Sequence, residues 1–225
     1  MKSHLSPAYK LILISALLIL ALKILLGIVA EYHRYLPPDF ASAFLIGREP
    51  YFFGSYQIAF YLHIAAGPPS ILLCVALVLS GAYQGFVPSM ARFHRRVGNL
   101  LWPIVIFILA PSGAFMAPYA MAGLPSTIAF LCLSFATALA AVLTVFHSRT
   151  HRIDEHRIWA GRCAVLLLSP LLLRLVGGLL SLIQFEAPVY YQLNAWLSWL
   201  VPLTVYECLV TRGKHQPAEK NNHLR

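Results

Sequence analysis

Six long runs of apolar residues limit what this chain can fold into more than any other feature of its sequence. The runs cover about residues 11–30, 57–80, 98–121, 125–147, 158–182 and 190–210. Each is close to the ~20 residues that an α-helix needs to cross a ~30 Å hydrocarbon core. Their apolar residues are continuous rather than alternating, which favours helices over the strands of a β-barrel. The sequence therefore predicts an all-α, polytopic transmembrane bundle with about six spans.

The composition agrees with lipid as the main surroundings of the chain. Hydrophobic residues make up 59% of the sequence and charged residues only 11%, whereas a soluble domain carries roughly 25% charged residues. The net charge of +9 could indicate a nucleic-acid partner. However, no basic segment interleaved with aromatic residues stands outside the apolar runs. We therefore expect the lipid bilayer as partner and no nucleic acid.

Lysine and arginine are divided unequally between the two sides of the predicted bundle, and this division predicts its orientation. The poor side has only Arg34 and Arg48. The rich side has Lys2, Lys10, Arg92, Arg95, Arg96, Arg149, Arg152, Arg157, Arg212, Lys214, Lys220 and Arg225. By the positive-inside rule the rich side is cytoplasmic. The prediction is a multi-pass protein of the bacterial inner membrane, with a cytoplasmic N-terminus (1–10), one transmembrane domain (11–210) and a disordered cytoplasmic tail (211–225).

The longest external connection, about residues 31–56, is rich in tyrosine and phenylalanine. Such rings commonly form a belt at the depth of the lipid headgroups. They could instead form a lid over a pocket that opens outward. The sequence leaves both interpretations open.

Polar residues inside the predicted spans are the first candidates for a functional site, because such residues are costly in hydrocarbon. Counted from the outer ends of their spans at 1.5 Å per residue, His63 lies about 9 Å deep and Arg174 about 12 Å deep. Ser112 falls near the same layer. The sequence therefore predicts an outward-facing polar cavity for a small anionic or quinone-like ligand. The alternative is that Arg174 extends to the outer headgroups.

Histidines at the predicted cytoplasmic ends form a second group of candidates. His94 and His156 stand at matching helix starts, so they could face each other as the two axial ligands of a haem. The alternative is that the His-Arg pairs anchor the helix starts to anionic headgroups. His147 and His151 have the spacing that puts two imidazoles on one helical face, but this spacing alone is a weak metal signal. No metal site is predicted beyond the haem option, and the cofactor is left open.

Two motifs resemble an uncharacterised bacterial integral-membrane family, domain of unknown function twenty-three-oh-six. The first runs from His63 through Gly81-Ala82-Tyr83-Gln84 to His94-Arg95-Arg96-Val97-Gly98, and the second is His156-Arg157-Ile158-Trp159-Ala160-Gly161-Arg162, followed by Leu173-Arg174. The resemblance covers roughly residues 57–180. It implies a membrane protein whose characteristic positions are His63, Gln84, His94, Arg95, Gly98, His156, Arg157, Trp159, Arg162 and Arg174. Gln84 thereby joins His63, Ser112 and Arg174 as a candidate for the ligand cavity. Ala160-Gly161 replace the Met-Ile that is usual in the family. The resemblance implies no reaction.

Three functions fit these residues. The favoured one is a membrane protein that binds a small ligand or a redox cofactor, haem or quinone, within the bundle. The second is a small-solute or proton-linked transporter, in which a histidine could relay protons; six spans would then favour a homo-oligomer. The third is a non-catalytic membrane subunit. Whether the chain is an enzyme is left open, because no nucleophile–base pair is identifiable.

Overall fold

The computed structural model describes residues 6–42, 44–83, 87–183 and 187–215. The regular structure of these residues is helical apart from one isolated bridge, Tyr35 with Pro38. The chain divides into two compact units, Met1–Phe53 and Gly54–Arg225.

The first unit begins with a long helix, α1 (Pro7–Ala30). The helix starts where the sequence gives it a cap: the Ser6 hydroxyl accepts a hydrogen bond from the Tyr9 N–H at 3.2 Å. Pro7 occupies the first turn, where a missing N–H costs nothing. Most of the large apolar side chains of α1 are exposed. The most apolar 18-residue window of this helix has a mean hydropathy of 2.9. Such a surface is suited to lipid.

Aromatic side chains that the sequence assigns to a belt or a lid pack against one another in the rest of the first unit. A 3-10 turn (Glu31–Arg34) leads into this segment, and a short helix, α2 (Glu49–Phe52), follows. The ring of Phe40 meets that of Phe52 edge-on at 5.3 Å between centroids, and Phe52 is fully buried. The segment is therefore compact.

An ion pair ties this segment together. Arg34 Nη2 donates to Asp39 Oδ2 at 2.8 Å, and the Ala41 N–H donates to Asp39 Oδ1 at 2.9 Å. The backbone N–H of Ala41, and after it the guanidinium of Arg34, hold the pKa of the Asp39 carboxyl below its ordinary value. The carboxylate therefore favours this turn at neutral pH, and the stabilisation is lost as the pH falls through that lowered pKa.

The second unit is a bundle of long helices. In chain order its elements are α3 (Ser55–Tyr83), α4 (Pro88–Pro103), a π-helical turn (Ile104–Leu109), α5 (Ala110–Met116), a 3-10 turn (Ala117–Tyr119), α6 (Leu124–Arg149), α7 (Ile153–Leu182) and α8 (Pro188–His215). The run from Pro88 to Tyr119 is one span with a change of helix type inside it.

The predicted all-α fold with six apolar spans is confirmed, because six helices of the described chain are long and apolar enough to cross a membrane. The third span begins at Pro88 rather than near residue 98. Hydropathy misplaced this start because arginines lower it in the first turns, yet these turns remain helical and bury Val97 and Leu101 on one face. The last helix runs to His215, into the predicted tail. Residues 216–225 lie outside the described part of the chain.

Small and apolar side chains join the helices of the second unit. The core cluster contains Cys74 of α3, Ala140 and Ala141 of α6, Cys163 of α7 and Trp199 of α8, all nearly inaccessible. Small residues at such contacts let helix backbones approach closely, which is how helices associate where lipid removes the hydrophobic driving force. The opposite faces carry exposed leucine, valine and phenylalanine, as lipid requires.

The π-helical turn stands directly before Pro111. Proline lacks an N–H and its ring clashes with the carbonyl four residues earlier, so a regular α-helix is disfavoured there. The wider turn relieves this conflict. The Ser112 hydroxyl that follows the proline donates to the Ile108 carbonyl of its own helix at 2.6 Å. The hydroxyl of this buried serine is thus satisfied within the span.

The α3–α4 connection, the α6–α7 turn and the C-terminal end of α8 share one end of the second unit, because successive spans run antiparallel. We call this the His-Arg end. Its arginines are exposed: Arg92, Arg95, Arg96, Arg149, Arg152, Arg157 and Arg212. That this end faces the cytoplasm remains a prediction.

Candidate functional site

His94 lies in the second turn of α4, and its ring packs against the last turn of α3. Its Nδ1 is 3.0 Å from Ser80 Oγ, and Ser80 Oγ also lies 3.2 Å from the Leu77 carbonyl oxygen of its own helix. A Cβ added to Gly81 would stand 3.5 Å from His94 Cε1, so the ring lies directly over the α3 backbone. The last turn of α3 therefore fixes the position of this imidazole.

His156 lies in the first turns of α7, and a neighbouring helix fixes its ring. Its Nδ1 is 2.9 Å from the carbonyl oxygen of Thr144 in α6. A carbonyl oxygen can only accept, so Nδ1 of the neutral ring carries the proton and donates it. Nε2 then keeps a free lone pair, which is the form in which histidine binds a metal.

The two imidazoles meet at the His-Arg end. The centroids of His94 and His156 are 6.4 Å apart, with the ring planes at 80°. α4 packs on α3, and α7 packs on α6 and α8, while the backbones of α4 and α7 hardly approach each other. The rings therefore meet edge to face where the α3–α4 hairpin contacts the α6–α7 hairpin. Within the described residues neither Nε2 has a hydrogen-bond partner.

The other members of the two motifs near this end have different surroundings. Arg95 and Arg157 are exposed, and Arg157 makes only a loose ion pair with Asp154 at 3.9 Å, of the exposed kind that contributes little. Gly98 is an ordinary packing position, where a Cβ would stand 3.8 Å from Leu77. Gln84 lies outside the described residues.

Deeper in the second motif, Arg162 forms a two-pronged ion pair with α8. Its Nε donates to Glu207 Oε1 at 2.6 Å and its Nη2 to Glu207 Oε2 at 2.9 Å. The guanidinium also lies over the ring of Trp159, 4.2 Å from the centroid. Parallel N–H bonds to one carboxylate are among the strongest contacts a side chain makes. Trp159 and Arg162 thus join α7 to α8.

Gly161 lets a tyrosine of α8 approach the backbone of α7. A Cβ at this position would stand 2.0 Å from Tyr206 Oη and 2.3 Å from Tyr206 Cζ, closer than atoms can come. The Tyr206 hydroxyl donates to the Ile158 carbonyl at 3.1 Å. The departure from the usual Met-Ile therefore has a physical reason here, because the tyrosine occupies the space that a side chain at 161 would need.

At the opposite end of the unit, His63 of α3 meets Ser112 of α5. Nδ1 of His63 is 3.2 Å from Ser112 Oγ, and Ser112 is buried. Gly113 makes room for the ring, since a Cβ there would stand 3.1 Å from His63 Cε1 and 3.0 Å from Ser134 Oγ. The structure thus brings together two of the residues that the sequence assigns to one layer.

Arg174, which the sequence assigns to the same layer, lies exposed on α7. Beyond Leu171 no residue of α7 is buried. This end of the helix therefore lies outside the core, to which the first half of the helix contributes. Among the described residues Arg174 has no hydrogen bond or ion pair with His63 or Ser112. The polar group that does meet α7 here is Asn194 of α8, whose Nδ2 donates to the Leu173 carbonyl at 2.9 Å.

His147 and His151 do not share a helical face, and that interpretation is wrong. α6 ends at Arg149, and His151 lies beyond it in the left-handed region, at φ 57°. No group of three or more metal-binding side chains gathers within the described residues.

Sequence reasoning missed the partners of the site residues: Ser80, Thr144, Tyr206 and Glu207. One signal could have found Glu207. Arg162 lies about 14 Å along α7 from its start, and Glu207 lies about 12 Å along α8 from its end. Both ends are at the His-Arg end, so the two opposite charges occupy the same depth.

Comparison with known families agrees with the two motifs. The family model described as "Predicted membrane protein (DUF2306)" matches residues 60–210, a range that extends through Tyr206 and Glu207 of α8. No curated protein and no solved structure matches the chain. The match covers well over half of the sequence and includes all five helical spans of the second unit, so the chain belongs to this family of membrane proteins.

Proposed function

We propose that this chain is a membrane redox protein that holds a b-type haem between His94 and His156. One observation carries the proposal: two imidazoles from helices that hardly contact each other meet edge to face, with 6.4 Å between their centroids. Cofactor sites in helical bundles are built in this way, from side chains on facing helices.

His94 and His156 would hold the haem iron through their ring nitrogens. The two rings are close enough to belong to one site. Haem iron is commonly held by histidine.

Hydrogen bonds at Nδ1 prepare both rings for this role. A metal-binding histidine usually donates its other N–H to a carbonyl, carboxylate or water, which fixes the tautomer and the ring orientation. Thr144 supplies such a carbonyl to His156, and Ser80 supplies an oxygen to His94. The Nε2 lone pair of His156 is then available, and that of His94 is available when its Nδ1 donates to Ser80 Oγ.

The charges at the same end complete the argument. Haem carries two propionate groups, which need cationic or water-exposed surroundings. Arg95 and Arg157 follow the two histidines directly and are exposed at the His-Arg end. A bound haem would supply one-electron chemistry. His94 and His156 would hold the iron, and Arg95 and Arg157 would meet the propionates.

The first test is the absorption spectrum of the purified chain, made in haem-replete cells or reconstituted with haemin, in oxidised and dithionite-reduced form. We expect a Soret band and, on reduction, the sharp bands of a six-coordinate b-type haem. His94→Ala and His156→Ala should each remove these bands, because each substitution deletes an axial ligand. A wild-type protein that stays colourless after reconstitution would refute the proposal.

Two further variants separate ligation from a structural effect. His147→Ala is the matched control, because His147 is a half-buried histidine of α6 near the same end, and its spectrum should equal that of the wild type. His94→Met keeps a ligand of another kind, so haem should remain bound with a shifted spectrum and a raised potential. An unchanged spectrum in His94→Met would contradict ligation by His94.

The transporter hypothesis has less support. It needs Arg174 beside His63 in one cavity, but Arg174 lies exposed on α7 and the hydrogen bond of His63 goes to Ser112.

A further inference from the structure

A groove lies beside Ser112 on the surface of the second unit, at the end opposite to the haem site proposed above. It has a volume of about 250 Å³ between α3 and the π-helical turn with α5. Its walls include Ile58, Leu62, Phe107 and Phe115, and all four are exposed on the faces that lipid would cover. A ligand could therefore enter from the bilayer without passing through water.

Among the residues that line the groove, Ser112 and Ser55 are the two with polar side chains. Ser55 is exposed at the rim, and its rotatable hydroxyl can donate or accept. Ser112 is buried and its hydrogen bonds are fixed. Its Oγ lies 2.6 Å from the Ile108 carbonyl oxygen and 3.0 Å from that of Leu109. Two oxygens at 2.6 Å repel unless a hydrogen lies between them, so the Ser112 hydrogen is donated to these carbonyls.

This direction fixes the next hydrogen bond as well. Ser112 has one hydrogen, and the helix carbonyls hold it. In the contact of 3.2 Å with His63 Nδ1, Ser112 must therefore accept, and His63 must be the donor. One lone pair of Ser112 Oγ remains. The buried polar atom in the wall of the groove can therefore only accept a hydrogen bond.

We propose that this groove binds a hydroquinone, with one phenolic O–H donating to Ser112 Oγ. The walls are apolar and partly aromatic, which suits a ring. A cavity of about 150 Å³ holds benzene, so the groove is large enough for one substituted ring. A quinone offers only acceptors and would place a carbonyl oxygen against the remaining lone pair of Ser112 Oγ, so this position favours the reduced form. The selection does not depend on the proposed haem.

The test uses a redox-inert pair of ligands, para-decylphenol and para-decylanisole. The O–H of the phenol is replaced by O–CH3 in the anisole, which cannot donate a hydrogen bond. Binding to the chain in nanodiscs is measured by calorimetry, with empty nanodiscs as the blank. We expect the phenol to bind about tenfold more tightly, which corresponds to ~1.4 kcal/mol. Decyl-hydroquinone should displace the phenol, and decyl-benzoquinone should not. Equal binding of phenol and anisole, or displacement by both the quinone and the hydroquinone, would refute the proposal.

Ser112→Ala should remove the preference for the phenol, because it removes the acceptor. The control is Ser70→Ala, since Ser70 is a buried serine of α3 that does not line the groove, and the preference should persist there. A preference that survives in Ser112→Ala would contradict the assignment. Decanol binding as tightly as decylphenol would contradict the choice of an aromatic ligand.

A spectroscopic measurement keeps the proposal testable if Ser112→Ala folds poorly. In ¹⁵N NMR spectra of the histidine-labelled wild type, His63 should show a protonated Nδ1 and an unprotonated Nε2. His63→Gln identifies the signals by their loss. Finding the proton on Nε2 would reverse the direction of the hydrogen bonds and overturn the proposal. A colourless protein that still prefers the phenol would refute the haem proposal alone.

Discussion

Gly161→Ala should lower the thermal unfolding midpoint of the protein in detergent by roughly 3–10 °C. The new Cβ would stand 2.0 Å from Tyr206 Oη and 2.6 Å from Tyr206 Cε2. The ring must therefore move, and it loses its hydrogen bond to the Ile158 carbonyl. Overpacking of this kind costs about 1–3 kcal/mol, and in a chain of this size each ~1 kcal/mol shifts the midpoint by about 2–4 °C.

The matched control is Gly178→Ala on the same helix. A Cβ at Gly178 meets nothing within 4 Å, and alanine is the better helix former by about 1 kcal/mol. This variant should be as stable as the wild type or slightly more stable. An equal loss in both variants would show that α7 needs glycine for a reason other than Tyr206.

A second substitution identifies the colliding atoms. In a Tyr206→Leu background the ring is absent, so Gly161→Ala should cost much less than it costs alone. In a Tyr206→Phe background the hydroxyl is gone but Cζ remains 2.3 Å from the added Cβ, so the cost should persist. A cost that is independent of residue 206 would contradict the packing derived above.

Glu207→Leu should destabilise the protein by about 2 kcal/mol or more, because it leaves the Arg162 guanidinium without its carboxylate. Breaking a fully buried pair costs about 3–5 kcal/mol. The side chains here are 24% and 39% exposed, so the effect should lie toward or below the low end of that range. The contact of Arg162 with Trp159 stays in place and offsets little of the loss.

The double variant Arg162→Leu/Glu207→Leu separates the effect of an unpaired charge on stability from the effect of the changed side-chain shape. With both charges removed no unpaired ion remains, and replacing a buried pair by apolar residues is often neutral or stabilising. We therefore expect the double variant to be more stable than Glu207→Leu alone. Reversible unfolding of the four proteins gives the coupling energy. A double variant with the sum of the single losses would mean that the pair contributes no coupling.

The spans and the shared end of the two histidines could be predicted from sequence, because both follow from the order of residues along the chain. His94 and His156 come just before apolar runs, so they had to lie at one end of the bundle. Their partners could not be predicted in the same way. Ser80 and Thr144 meet the rings only through the geometry of the connections and the rotation of each helix about its axis, which packing determines.

Arg174 is a second example of packing that the sequence does not reveal. Counting residues gave a depth for His63, Ser112 and Arg174, and the first two do meet. The spacing of Arg174 from Leu167 places both on similar faces of α7, but the outer part of that helix is not covered by its neighbours. Depth and face were predictable from periodicity, whereas the extent of the core along the helix depends on how the other helices cross it.

The π-helical turn has a consequence for the third span as a whole. Each residue of an α-helix advances the chain by about 100° around the axis, and a turn that holds an extra residue sets everything after it out of phase by about that angle. Corresponding faces of the arginine-rich half of the span and of the half with Ser112 therefore point in different directions around the helix axis. Deleting one residue within 104–109 would bring the two halves into phase and turn Ser112 away from His63. The contact between these two side chains therefore depends on the extra residue in the π-helical turn.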